Sequence, residues 1–300
     1  MKKIIRIIAP AFYAQLTAYQ KTNIQKFLEK HDFKVQWGKN VFKQTVALSV
    51  GQFRASDKER LSDLMKAFQQ NINMVIAIRG GGGVARLLPF IDWDILKKST
   101  SLFVGFSDLT AFQNAYYAKT GKSSVTGMIA VYLKEKPQET VISSFFNALN
   151  GGDIKFEGLP CYAKGKTSGI LIGGNLTSFV GLIGTPYLPS CKGKILLLEE
   201  IAEPPYKLEA MLTHLKNAGI FDKLNGVLLG DFYQCRNTYD KTDENAYHVL
   251  RNFFKDFKIP VIYGVPYGHT VQHFCLPFGT KTTLDTAKGI VHIDGLQKKC

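Results

Sequence analysis

No segment of this chain approaches the roughly 18 uninterrupted apolar residues that a bilayer span requires, so no transmembrane helix is expected. Cysteine is scarce and poorly spaced. Cys161, Cys191, Cys235, Cys275 and Cys300 are odd in number and contain no Cys-x-x-Cys pair; they fit neither a disulfide framework nor a zinc site and favour a reducing, cytoplasmic compartment. Runs of basic residues are also missing. The net charge is +14, yet no more than two Lys or Arg stand together, which reads as a solvated surface, or as a field steering an anionic substrate, and not as a nucleic-acid stripe. There is no internal repeat and no low-complexity tract.

What is present suits a globular chain of two domains: 300 residues, of which 45% are hydrophobic and 21% charged, are too many for one typical core. Lys2 and Lys3 before an apolar run imitate a secretory signal, but Arg6 interrupts the run, and "IIRIIAP" reads as a first strand ended by Pro10. Up to about residue 150, the runs "IIRIIAP", "FKVQW", "MVIAI" and "LFVGF" alternate with the helix-periodic "YQKTNIQKFLEKH", "DKERLSDLMKAFQQ" and "DLTAFQNAYYAKTG". That order predicts an α/β domain with a parallel sheet over 1–150. The Gly- and Lys-rich stretch that follows is expected to be a linker, 151–167. A second α/β domain with more strands per helix is expected over 168–300, from "GILIGGN", "GKILLLEE", "LNGVLLGDF", "IPVIYGV" and "GIVHID" with helices around "PPYKLEAMLTHLKNAGI" and "ENAYHVLRNFFKDF".

Ligands of a parallel sheet collect at the carboxyl ends of its strands, and three candidates fall at such ends. After "MVIAI" come Arg79 and Gly80 to Gly83. Consecutive glycines let a turn present its N–H groups to an oxyanion or phosphate, but no Lys-Ser/Thr follows, so the loop is not a Walker loop. In "GFSDLT", Ser107 stands at a strand-to-helix turn, with the Asp108 N–H at the helix N-terminus. Ser107 is either a nucleophile there or, with Asp108, a plain N-cap. A nucleophilic serine needs a base. His31, His214, His248 and His292 have surface or edge contexts, whereas His269 lies in a Pro-Gly loop after a strand, with His273 as its competitor. A carboxylate that orients the imidazole would come from "ILLLEE", where strand alternation lets only one of Glu199 and Glu200 face the cleft.

Taken together, "IAP", "FRASDKERLSDL", "IRGGGGVARLLPFIDW", "GFSDLTAF", "GGNLTSFVGLIGTPYLP", "ILLLEEIAEPPY" and "YGHTVQHFCLPFG" resemble, in order and over nearly the full chain, the LD-carboxypeptidases, serine peptidases also called muramoyltetrapeptide carboxypeptidases. The resemblance implies a flavodoxin-like nucleophile domain and a smaller β-rich domain that brings the glutamate and histidine. It further implies Ser107, Glu199 and His269 as the catalytic triad, with oxyanion N–H groups from Asp108 and from Gly81 or Gly82. No metal and no cofactor are expected. Family members often carry an aromatic residue where this chain has Gly82 and an arginine where it has Ala210, which touches substrate contacts and not the triad. Arg79, Arg86 and Lys207 are candidates for holding the substrate carboxylate. The implied activity is removal of terminal D-alanine from L,D-linked murein tetrapeptide in cell-wall recycling, by a cytoplasmic homodimer with no nucleic-acid or membrane partner. The alternatives are a microcin-immunity type peptidase acting on a peptide-nucleotide antibiotic, and a non-catalytic anion-binding module.

Overall fold

Short β-branched runs and capped amphipathic runs alternate along the first half of the chain and set its local structure. The computed structural model describes residues 2–43, 55–70, 72–236, 245–270 and 272–297. Cys300 and residues 53, 54, 244 and 271 of the stretches quoted above lie outside the described residues. In chain order the elements are β1 (Lys3–Ile8), α1 (Ala18–Lys30), β2 (Phe33–Trp37), α2 (Asp57–Gln69), β3 (Met74–Ala77), α3 (Trp93–Lys98), β4 (Leu102–Gly105), α4 (Leu109–Thr120), β5 (Ser124–Thr126) and α5 (Glu139–Leu149). They continue as β6 (Ile154–Phe156), β7 (Cys161–Ala163), β8 (Lys166–Asn175), α6 (Leu176–Val180), β9 (Lys194–Ile201), α7 (Pro205–Asn217), β10 (Gly226–Tyr233), α8 (Ala246–Phe254), β11 (Val261–Tyr263), β12 (Leu276–Phe278), β13 (Lys281–Asp285) and β14 (Ile290–Ile293). Reciprocal capping boxes start α1 (Thr17 with Gln20) and α2 (Ser56 with Glu59), satisfying N–H groups that the helix itself cannot.

The first sheet runs β2-β1-β3-β4-β5-β12. Its first five strands are parallel, in the 2-1-3-4-5 order of flavodoxin-like sheets. All four residues of β3 are buried, as a central strand covered on both faces requires. The second sheet runs β6-β14-β13-β8-β9-β10-β11-β7, with β8 to β11 parallel and antiparallel strands on either side. The chain is thus α/β, with a parallel first sheet and a β-rich second half.

Two features depart from the expected division of the chain. The stretch expected as a linker carries β6 and β7, which pair with β14 and β11 at the two edges of the second sheet. Its glycines and prolines lie between and beside strands only three residues long, too short to show a period. Further on, β12 returns to the first sheet and pairs antiparallel with β5, so a boundary at 150 divides the chain but not the sheets.

Helix α4 joins the two layers. Leu109 to Tyr116 are all buried, the mark of a helix enclosed on every side. One side faces the core of the first sheet, through Phe112 against Phe68 and Phe103. The other meets β8: Asn114 donates to the Gly173 carbonyl at 2.8 Å and accepts from its N–H at 3.0 Å, and Thr110 Oγ1 accepts from Asn175 N–H at 3.0 Å. Each buried amide thereby has its partner, and the N-terminus of α4 is fixed relative to the second sheet.

Candidate active site

The site begins where β4 turns into α4. Ser107 has φ +66°, a left-handed conformation that a non-glycine residue adopts at a cost of about 1–3 kcal/mol and that marks strained functional turns. The turn is held by the Thr110 N–H donating to the Ser107 carbonyl at 2.8 Å. Neither residue is the side-chain N-cap that the sequence allows. The position before α4 makes no side-chain cap bond; Asp108 Oδ2 instead accepts the Val84 N–H at 2.9 Å, across to the glycine loop. Burial pushes the Asp108 carboxyl above its ordinary value, against the pull of that bond and of the Arg60 charge.

The glycine loop lies directly against the serine. A Cβ on Gly80 would sit 2.7 Å from Ser107 Cβ and 3.0 Å from its Oγ, so only glycine allows this approach. Gly81 has φ +114°, and the Phe12 ring packs where side chains of Gly81 and Gly82 would stand. This ring comes from the segment after β1. Among the described residues, the N–H groups of Gly81, Gly82 and Asp108 make no hydrogen bond. Arg60, only 2% exposed, fastens the loop by donating to the Pro10 and Gly83 carbonyls and to Asp57.

The second sheet supplies the imidazole and the carboxylate. His269, in the loop after β11, has Nε2 3.0 Å from Ser107 Oγ and Nδ1 2.7 Å from Glu199 Oε2. With the proton on Nδ1, the ring donates to Glu199 and accepts from the serine hydroxyl. Glu199 is fully buried near the end of β9, and its Oε1 has no hydrogen-bond partner among the described residues. Burial raises its pKa, opposed by His269, with the neighbouring Glu200 charge raising it further. Glu200 faces the opposite side of the strand, as alternation demands, and accepts four bonds, from Asn175 Nδ2, the Thr177 N–H and Oγ1, and the Ile201 N–H, at 2.7–2.9 Å. His273, the competitor, is 2% exposed and points away from the serine, with its ring nitrogens at the carbonyls of Thr270 and Gly127.

The three candidate cations differ. Arg86 is paired with Asp57 at 2.8 Å and Lys207 with Glu203 at 3.2 Å. Arg79, half-buried where β3 enters the glycine loop, makes no ion pair or hydrogen bond among the described residues. Sequence reasoning missed Phe12 and Arg60, whose contacts with the glycine loop join segments far apart along the chain. No group of three or more His, Cys, Asp or Glu among the described residues is arranged to hold a metal.

An in-line hydroxyl, imidazole and carboxylate beside unused N–H donors can move a proton off the serine and receive negative charge on a substrate oxygen. Fold and arrangement together are those of a serine-type hydrolase. Comparison with known proteins gives the family. Residues 5–127 match the LD-carboxypeptidase N-terminal domain and residues 168–284 the LD-carboxypeptidase C-terminal domain, and the chain belongs to the LD-carboxypeptidase family. It is 30% identical to the murein tetrapeptide carboxypeptidase of Pseudomonas aeruginosa, over 94% of this chain and 92% of that one. The muramoyltetrapeptide carboxypeptidase of Oxalobacter formigenes superposes with a TM-score of 0.84 at 28% identity, covering 99% of this chain and 100% of that one. A microcin self-immunity protein of Escherichia coli is 25% identical, over 87% of this chain and 83% of its own.

Proposed function

We propose that this chain is a serine carboxypeptidase that hydrolyses the L,D-peptide bond to the terminal D-alanine of murein tetrapeptides, in cytoplasmic cell-wall recycling. The observation that carries the reading is the unbroken line from Ser107 through His269 to Glu199, 3.0 and 2.7 Å long, assembled from two sheets. Ser107 Oγ attacks the carbonyl carbon of the scissile bond while its proton passes to His269 Nε2, and Glu199 stabilises the resulting imidazolium. The N–H groups of Asp108 and of Gly81 or Gly82 receive the tetrahedral oxyanion, at about 3–4 kcal/mol for such a donor. His269 then gives its proton to the departing amine of D-alanine. Water, deprotonated by the same imidazole, cleaves the acyl-enzyme to release the tripeptide and restore Ser107.

An exopeptidase must also hold the free carboxylate of the residue that it removes. Arg79 fits this role, since Arg86 and Lys207 are already paired and a guanidinium can grip a carboxylate with two parallel bonds. The murein substrate is supported by the names of two relatives that match nearly the whole chain, and the cytoplasm by free cysteines at 161, 191, 235 and 275.

The test is incubation of the purified protein with murein tetrapeptide and with its all-L analogue, reading released alanine by mass spectrometry. Release from the L,D-linked peptide alone, abolished in Ser107→Ala, is expected. Folded enzyme that releases nothing from any L,D-linked tetrapeptide, or that cleaves a peptide-nucleotide conjugate instead, refutes the murein reading.

A further inference from the structure

The loop that carries His269 is fastened to both sheets by groups that the proposed reaction does not use. On the second-sheet side, the Asp231 N–H donates to the Tyr267 carbonyl at 2.8 Å and the Val265 N–H to the Leu229 carbonyl at 3.1 Å. On the first-sheet side, Thr126 Oγ1 and the Tyr267 hydroxyl share a hydrogen bond of 2.7 Å, and β12 pairs with β5. Between these anchors stands His273. Its Nε2 lies 2.7 Å from the Gly127 carbonyl, just after β5, and its Nδ1 lies 2.9 Å from the Thr270 carbonyl, next to His269. The ring stacks on Phe106 at 5.4 Å and 12°, and Phe106 in turn packs against the His269 ring at 4.6 Å.

We infer that His273 is a positioning residue: it ties the peptide after His269 to the end of β5 and, through Phe106, aligns the imidazole with the serine turn. Phe106 directly precedes Ser107, so a single ring braces both reacting side chains. The inference rests on the reading that Ser107 and His269 act together. Both carbonyl oxygens are acceptors, and a neutral imidazole has one N–H to offer. Burial lowers the His273 pKa, while the two carbonyls and the neighbouring His269 pull in opposite directions. A neutral ring donates to one of the two oxygens, and only a doubly protonated ring donates to both.

His273→Phe and His273→Gln separate the parts of this role. Phenylalanine keeps a flat ring on Phe106 and removes the donor; glutamine keeps an N–H donor and removes the ring. Ser107 reactivity is read from its rate of inactivation by a fluorophosphonate, which needs no peptide substrate, and the bond of His269 to Glu199 from its downfield proton resonance. In folded His273→Phe, inactivation is expected to slow by roughly 10–100-fold, the scale of a misplacement near 1 Å. On tetrapeptide, kcat should fall by the same factor with KM unchanged, the downfield resonance should weaken, and His273→Gln should recover part of the rate. A wild-type inactivation rate and resonance in His273→Phe overturns the inference. So does a loss that follows only the unfolded fraction in both variants, measured by thermal melting. Wild-type protein that reacts with the fluorophosphonate yet cleaves no tetrapeptide overturns the substrate reading alone, and the inactivation rates still decide on His273.

Discussion

Around the Ser107 side chain the first sheet contributes mostly backbone to the site, and the second contributes the imidazole and the carboxylate. At the ends of β3 and β4 the working features are a positive φ at Ser107, a loop that no Cβ could share and N–H groups without acceptors among the described residues. At the ends of β9 and β11 they are a buried carboxylate and an imidazole whose value depends on which way each points. Backbone features tolerate no enlargement and little exchange. The side-chain features tolerate isosteric exchange structurally but not chemically, and variants can separate the two kinds of dependence.

The largest effect is expected from Ser107→Ala, which removes the atom toward which both His269 and the glycine loop are directed; kcat should fall by about 10⁶-fold, as nucleophile loss does in comparable hydrolases, measured by alanine release. Next is Glu199→Gln, with a loss of about 10⁴-fold in kcat and, in the same variant, a gain in stability. Because burial raises the Glu199 pKa, the folded chain binds this proton more tightly than the unfolded chain. Stability from this group is therefore greatest below the ordinary value of 4.5 and is lost as pH rises through the raised one. The melting temperature of Glu199→Gln should exceed that of wild type at neutral pH, by roughly 2–4 °C per kcal/mol relieved, and the gap should close toward acid. A gap that is constant with pH would contradict this account. Glu200→Gln sharpens the contrast: with four donors facing a weaker acceptor, it should melt lower while kcat stays within about tenfold.

On the backbone side, Gly80→Ala forces its new carbon against Ser107, and a loss of about 10²-fold in kcat with KM little changed is expected from the displaced nucleophile. The smallest effect falls on binding. Arg79→Ala should raise KM by roughly 10-fold, on the scale of a lost charged hydrogen bond, whereas Arg86→Ala, which breaks an exposed pair with Asp57, should leave KM unaltered. Equal effects of the two arginines would remove the assignment of the carboxylate to Arg79.

Local chemistry made much of this legible. Strands β1 to β4 and β8 to β10, helices α1, α2, α4, α7 and α8 and the glycine loop all announce themselves by period or composition, and the family motifs singled out the residues that the structure brings together at 107, 199 and 269. Strands such as β5, β6, β7 and β12 are three residues long, and β12 contains Pro277, which reads as a break except on a sheet edge. The roles of Phe12, Arg60 and the Asp108 carboxylate depend on contacts between distant segments, which spacing does not record. Local pattern alone left His269 and His273 as competitors; the family motif favoured His269, and the ring contacts separate the two.

The return of β12 to the first sheet bears on how the protein can be taken apart. A gene split at residue 150 would yield two polypeptides, neither able to finish the first sheet alone. The amino-terminal piece would present the bare edge of β5, a surface open to strand pairing between copies. The carboxy-terminal piece would carry the imidazole on a tether with one end loose. Activity should then depend on reassembly, so that the restored reaction itself would report that the two pieces had found each other.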